Sequence, residues 1–196
     1  MGLVHRGQEI GCWFMQAAEN LLIRYCCETD HLSGDLAEVG VWRGDSSAVI
    51  LRHTSHGRLY MYDTFCGMPV SMCSQYDYHK PGSFGDTSLS VAMKAISAWS
   101  DRVLVRVGIF PETADDGLFR FVHIDCDQYL STKAALEWFT PRLVQGGIIL
   151  LDDHLCSTTP GAKKAADEFI SANSLYWIEN VGTRGVLRHS HEEALK

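Results

Sequence analysis

The chain has 196 residues, 46% apolar and 21% charged, which is the make-up of a soluble globular protein long enough to bury a core without staples. Its formal net charge is −7 at pH 7 with nine histidines counted neutral. That balance argues against a nucleic-acid or membrane partner, because phosphate-rich surfaces need an excess of Lys and Arg.

The simplest division is one domain over residues 1–196, with residues 1–32 as an N-terminal helical segment. MGLVHRGQEI lacks a basic start followed by an apolar run, and no stretch approaches the ~18 apolar residues of a membrane span, so neither a leader nor a span is expected. Cysteines stand at positions 12, 26, 27, 66, 73, 126 and 156, an odd number with no C-x-x-C pair. They read as reduced thiols of a cytoplasmic protein rather than a zinc site or a disulfide framework.

In chain order, Ile10, Trp13, Phe14, Ala17, Leu21, Leu22 and Tyr25 recur at helical spacing over residues 8–28. A short strand spans Leu36 to Val41, and Asp45 or Ser46 caps a helix running to Arg52. A second strand, Leu59 to Tyr62, ends on Asp63. Cys66 to Gly85 has no periodicity, and a loop of that length in a compact domain is usually functional. Asp86-Thr87-Ser88 caps a helix from Leu89 to Trp99; DRVLVRVG and Phe119 to Ile124 are the third and fourth strands. A helix from Thr132 to Phe139, a fifth strand from Gly147 to Leu151 and a helix from Ala162 to Ser171 follow. Tyr176 to Ile178 and Gly185 to Arg188 close the chain as a hairpin. The alternation predicts an α/β fold: a mostly parallel sheet, covered on both faces, with one antiparallel edge.

In such sheets ligands sit beyond the carboxyl ends of the strands. The first exit, Glu38-Val-Gly40-Val-Trp-Arg-Gly44, has two glycines and is not a dinucleotide fingerprint; it suits a nucleoside without phosphates, or a plain turn. Asp63 at the second exit is placed to take ribose hydroxyls. The fourth and fifth exits are the informative pair. FVHIDCDQY ends a strand on Asp125 and Asp127, and GGIILLDDH ends the next on Asp152 and Asp153. Neighbouring strands lie about 4.8 Å apart, so on adjacent strands Asp125 and Asp152 or Asp153 would converge on one ion. Unpaired, these acids would repel and raise one another's pKa, a conflict that a divalent cation removes. Four acids exceed what one Mg²⁺ usually takes, and Asp127, further into the loop, is the candidate general base. His154 reads as a further ligand, a second base or a bystander at the rim.

These segments together resemble the macrocin O-methyltransferase family of class I S-adenosylmethionine-dependent methyltransferases. The likeness lies in SGDLAEVGVWRGDSS (33–47), YDTFCGMP (62–69), FGDTSL (84–89), VGIFPET (107–113), HIDCDQYLST (123–132), PRLVQGGIILLDDH (141–154) and GAKKAADEF (161–169). The chain departs from the family at Asp45, usually a second glycine, and at His154, often a tyrosine. The resemblance implies a Rossmann-like methyltransferase fold with a seven-stranded sheet. It implies Glu38 and Gly40 near the methionine part of S-adenosylmethionine, Asp63 on its ribose, and Asp86 and Thr87 on the adenine side. It further implies Asp125, Asp152 and Asp153 as ligands of Mg²⁺ or another divalent cation, and Asp127 as the base. The expected acceptor is a small molecule, a glycoside in natural-product biosynthesis or alternatively a catechol-type diol, and a homo-oligomer is among the expectations. A scaffold subunit that binds S-adenosylmethionine without turnover is the alternative of another class.

Overall fold

Strand β1 (Asp35–Val39) shows how the sheet is built: Leu36 and Glu38 point to one face, Ala37 and Val39 to the other, and four of its five residues are buried. The structure is a computed structural model describing residues 19–190. Helix α1 occupies residues 19–29; the expected helical positions Ile10, Trp13, Phe14 and Ala17 lie outside the described residues. After β1 come α2 (Asp45–Arg52), β2 (Leu59–Asp63), α3 (Leu89–Ala95), β3 (Val103–Val107), β4 (Phe119–Ile124) and α4 (Tyr129–Phe139). The chain continues with β5 (Leu143–Leu151), α5 (Pro160–Ala172), β6 (Tyr176–Val181) and β7 (Arg184–His189).

The seven strands pair in the order β3-β2-β1-β4-β5-β7-β6. The first five are parallel, and β7 runs antiparallel between β5 and β6. The expected parallel sheet with an antiparallel edge is therefore present. Strand alternation divides the core in two. Leu36, Met61, Phe121 and Leu150 face α1, α2 and α3 through Tyr25, Ile50, Leu51 and Ala92. Val39, Tyr62, Val122 and Leu151 face α4 and α5 through Leu136, Phe139, Ala166 and Phe169. β1 has β2 on one side and β4 on the other, so the strand order reverses there and a crevice opens above its carboxyl end.

Element ends differ from the sequence reading. β1 stops at Val39 because Gly40 turns to φ 88°. α2 is capped by Gly44 in the left-handed region, with Asp45 as its first helical residue, so neither Asp45 nor Ser46 is the cap. Ser88 does cap α3, accepting from Val91 N, but α3 ends at Ala95 and resumes beyond a kink as a 3₁₀ turn over Ser97–Arg102. β5 begins four residues early, at Leu143, because the Gly146-Gly147 pair that reads as a break is absorbed by a register shift against β4. All six cysteines among the described residues are free. Among the same residues, no helix is long and apolar enough to cross a membrane.

Candidate active site

β4 and β5 are paired with Ile124 opposite Leu151, so the next residues, Asp125 and Asp152, leave the sheet side by side. Backbone bonds hold both exits level: Asp125 N donates to Val39 O at 2.9 Å and Asp152 N to Ile124 O at 3.0 Å. Asp127 then turns into the left-handed region (φ 59°), a conformation Asp tolerates better than most residues, and α4 starts two residues later. Carboxylate oxygens of Asp125, Asp127 and Asp153 lie within 4.8 Å of one another. A second group, within the same separation, joins Asp125 and Asp152 to His123. The four acids thus meet around Asp125, with Asp127 in the first group and Asp152 in the second.

Their surroundings differ, and the difference is chemical. Asp152 is not an unpaired acid: its Oδ1 accepts from Arg184 Nε at 2.5 Å and lies 3.5 Å from His123 Nε2, while Oδ2 accepts from none of the described residues. Burial alone would raise its pKa, but His123 and then Arg184 outweigh it and hold the carboxyl below the usual range. Burial, reinforced by the charges of Asp152 and Asp153, pushes Asp125 well above that range. Burial also lifts Asp127 to about 6; His79, with Nε2 4.0 Å from Asp127 Oδ1, pulls the other way, and Asp152 adds to the rise. Asp153, raised to about 8 by burial and then by Asp127 and Asp152, accepts from Asp127 N at 3.3 Å.

Beneath the acids runs a buried polar line; the sequence reading named its ends, Glu38 and Asp152, but not His123 between them. Glu38 and His123 are register partners on β1 and β4; Nδ1 of the histidine lies 2.9 Å from Glu38 Oε1, and Ser47 Oγ donates to Glu38 Oε2. Although burial opposes it, the neighbouring carboxylates of Asp152 and Glu38 raise the His123 pKa to about 10. Its one sequence signal was that Glu38 and His123 interrupt the apolar runs of β1 and β4. Arg184 gave none. His154 belongs to neither acid group; it is buried beneath β7, where a Cβ on Gly185 would come within 2.9 Å of its ring.

A cleft crosses the exits of β2, β1 and β4, with Gly40, Trp42, Asp63, Phe110, Asp125 and Asp127 in its wall. Asp63 organises the near end: Oδ2 accepts from Val41 N at 2.7 Å and Trp42 N at 2.9 Å, and Oδ1 from Phe65 N at 2.6 Å. Glu38 lies fully buried below this wall rather than in it. Asp86 and Thr87 stand outside the wall and grip its rim. Asp86 accepts from Trp42 Nε1 at 3.0 Å and pairs with Arg43 at 2.5 Å, and Thr87 Oγ1 donates to Trp42 O at 2.5 Å.

These residues fit two groups that such a fold would carry. Asp125, Asp127 and Asp153 lie mutually close and Asp152 stands beside Asp125, so the four acids offer oxygen donors suited to a hard divalent cation. Gly40 lines the cleft where β1 leaves the sheet, and an acid closes β2, an arrangement suited to a nucleoside ligand.

The strand order, the antiparallel β7 and the cleft at the switch point define a Rossmann-like class I methyltransferase fold. The chain belongs to the Macrocin-O-methyltransferase (TylF) family, whose family model matches residues 11–187. It is 33% identical over 152 residues to the 8-demethyl-8-(2,3-dimethoxy-alpha-L-rhamnosyl)-tetracenomycin-C 4'-O-methyltransferase of Streptomyces olivaceus, covering 67% of this chain and 58% of that one. It is 26% identical over 169 residues to the Mycinamicin III 3''-O-methyltransferase of Micromonospora griseorubida, covering 75% of this chain and 65% of that one. The chain therefore spans about three fifths of the length of these curated relatives. Among solved structures it is similar to the O-methyltransferase NovP, with a TM-score of 0.77 at 20% identity, over 89% of this chain and 80% of that one.

Proposed function

We propose that this protein is an S-adenosylmethionine-dependent O-methyltransferase acting on a hydroxyl of a sugar moiety or natural-product intermediate. A divalent cation such as Mg²⁺ is held by Asp125, Asp152 and Asp153, and Asp127 is the general base. The observation that carries this reading is the meeting of four carboxylates from two adjacent strand exits at one end of a cleft that Asp63 and Gly40 shape at the other. The name of the Streptomyces olivaceus relative, a 4'-O-methyltransferase of a rhamnosyl-bearing tetracenomycin, supports a glycoside as the acceptor.

S-adenosylmethionine supplies an electrophilic methyl, and the cation supplies positive charge where an acceptor hydroxyl becomes nucleophilic. The chain's own residues do the rest. Asp63 and Gly40 bind the cofactor at the first two exits, with Glu38 supporting that end from below through Ser47 on α2. Asp86 and Thr87 hold Trp42 at the rim that the adenine side would meet. Glu38, His123 and Arg184 fix Asp152 beside Asp125. Asp127 takes the acceptor proton: with a pKa near 6 it is ionised at neutral pH yet basic enough to accept. Holding the two reactants in line accounts for most of the rate gain.

The test is methyl transfer from labelled S-adenosylmethionine to a panel of deoxysugar glycosides and catechols, with Mg²⁺ and with EDTA. Product from a glycoside in the Mg²⁺ arm alone is the expected result. Equal product with EDTA would remove the cation from the account; product from catechols alone would replace the acceptor class.

A further inference from the structure

We propose that Asp77 is a positioning residue for this site, which rests on the functional reading above. Its carboxylate caps α4 from outside the helix and clamps the 66–85 loop against the segment carrying Asp127.

A helix leaves its first backbone N–H groups without intrahelical partners, and a side chain at the N-cap usually takes one. α4 is 11 residues long, and its N-cap residue, Gln128, makes no side-chain capping bond. The missing acceptor comes from a loop more than 50 positions away in sequence: Asp77 Oδ1 accepts from Tyr129 N at 2.7 Å. The other oxygen closes the loop's own turn, accepting from Ser74 N at 2.7 Å and Ser74 Oγ at 2.8 Å. Asp77 is 9% exposed, so its carboxyl group is held against the positive end of the helix.

α5 makes room for this contact. A Cβ on Gly161 would stand 2.1 Å from Asp77 Oδ1 and 3.0 Å from Tyr129 N, so the carboxylate fits only because residue 161 has no side chain. Two further contacts tie the same pieces together: the Tyr76 and Tyr129 rings meet edge to face at 5.0 Å, and Gln128 Nε2 lies 2.9 Å from Cys73 Sγ.

The clamp sits two residues from the chemistry on each side. Two residues before Tyr129 is Asp127; two residues after Asp77 is His79, whose Nε2 is 4.0 Å from Asp127 Oδ1. The same loop supplies Met68, Pro69 and Met72 to the cleft wall. Moving Asp77 therefore displaces the acceptor side of the cleft and the base together, while the Asp63 end, held by its own bonds, stays in place.

The experiment compares Asp77→Ala, Asp77→Asn and Gly161→Ala with the wild-type full chain, by amide hydrogen exchange and by steady-state kinetics. In Asp77→Ala, the Tyr129 amide and the 66–85 loop should exchange about 5–10-fold faster, with Gly40 to Trp42 unchanged. Turnover should fall about tenfold or more, while KM for S-adenosylmethionine stays within about twofold. Asp77→Asn, which keeps one acceptor oxygen, should recover part of both effects. Gly161→Ala should reproduce the Asp77→Ala pattern although alanine favours a helix, and combining the two should add nothing further. Wild-type exchange at Tyr129 in Asp77→Ala would overturn the proposal, as would an equal loss of cofactor affinity and turnover. If the wild type methylates nothing, the functional reading fails, and the exchange measurements still decide the clamp. If Asp77→Ala does not fold, Gly161→Ala alone decides it.

Discussion

Asp125, Asp127 and Asp153 carry protons in the folded chain at pH values where an unfolded chain has lost them. Asp127 titrates near 6 and Asp153 near 8, against about 4 for an unperturbed Asp. A raised folded pKa gives stability that is complete below the unfolded pKa and disappears as pH rises through the folded one. His123, raised to about 10, acts in the same direction above about pH 6.5. The cation-free protein should therefore lose thermal stability steadily between pH 5 and 8, and Mg²⁺ should restore it most where the acids are ionised. At a cation concentration about 100-fold above Kd, the gain at pH 8 should be roughly 5–10 °C, and much smaller at pH 5.5. Thermal melts at both pH values, with and without Mg²⁺, check this; equal shifts at both would contradict a carboxylate cation site. The acids were legible in the sequence because consecutive carboxylates at two apolar strand exits have no comfortable structure of their own. Asp77 was not, because a loop without periodicity gives no sign of which distant amide it will cap.

At the level of elements, the site depends on how closely the β1 and β4 exits approach. Gly40 stands at φ 88°, and a Cβ there would lie 1.8 Å from Asp125 O. Gly40→Ala combines a left-handed backbone with a backbone clash, so about 2 kcal/mol or more of stability should be lost. The displaced Asp125 should also bind a cation more weakly. Denaturant melts and cation calorimetry would report both, and wild-type values in both would show that the approach is not needed. The same junction explains what sequence reading could and could not see. Strand centres such as Phe119 to Ile124 were recoverable from apolar runs. Ends were set by contacts between distant segments: α4 begins at Tyr129 rather than Thr132 where Asp77 meets it, and β5 extends back to Leu143 along β4.

Over the whole molecule, the sheet order places the glycine exit of β1 between an acid that organises the cleft and a cluster of acids that suits a cation. Alternation of strands and helices was enough to predict the layers and the antiparallel edge. Which strands are neighbours was not readable from periodicity, and the inference that Asp125 and Asp152 converge depended on β4 pairing with β5. The buried Glu38–His123–Asp152 line was invisible for the same reason, since each residue belongs to a different strand or exit. Under the proposed mechanism the acids divide into cation ligands and one base. Asp127→Asn, assayed for turnover beside cofactor and Mg²⁺ affinity, tests that division most directly. Turnover should fall by about 10²–10⁴-fold, with both affinities within about threefold of wild type. Unchanged turnover, or a loss of Mg²⁺ binding as large as the loss of activity, would contradict it.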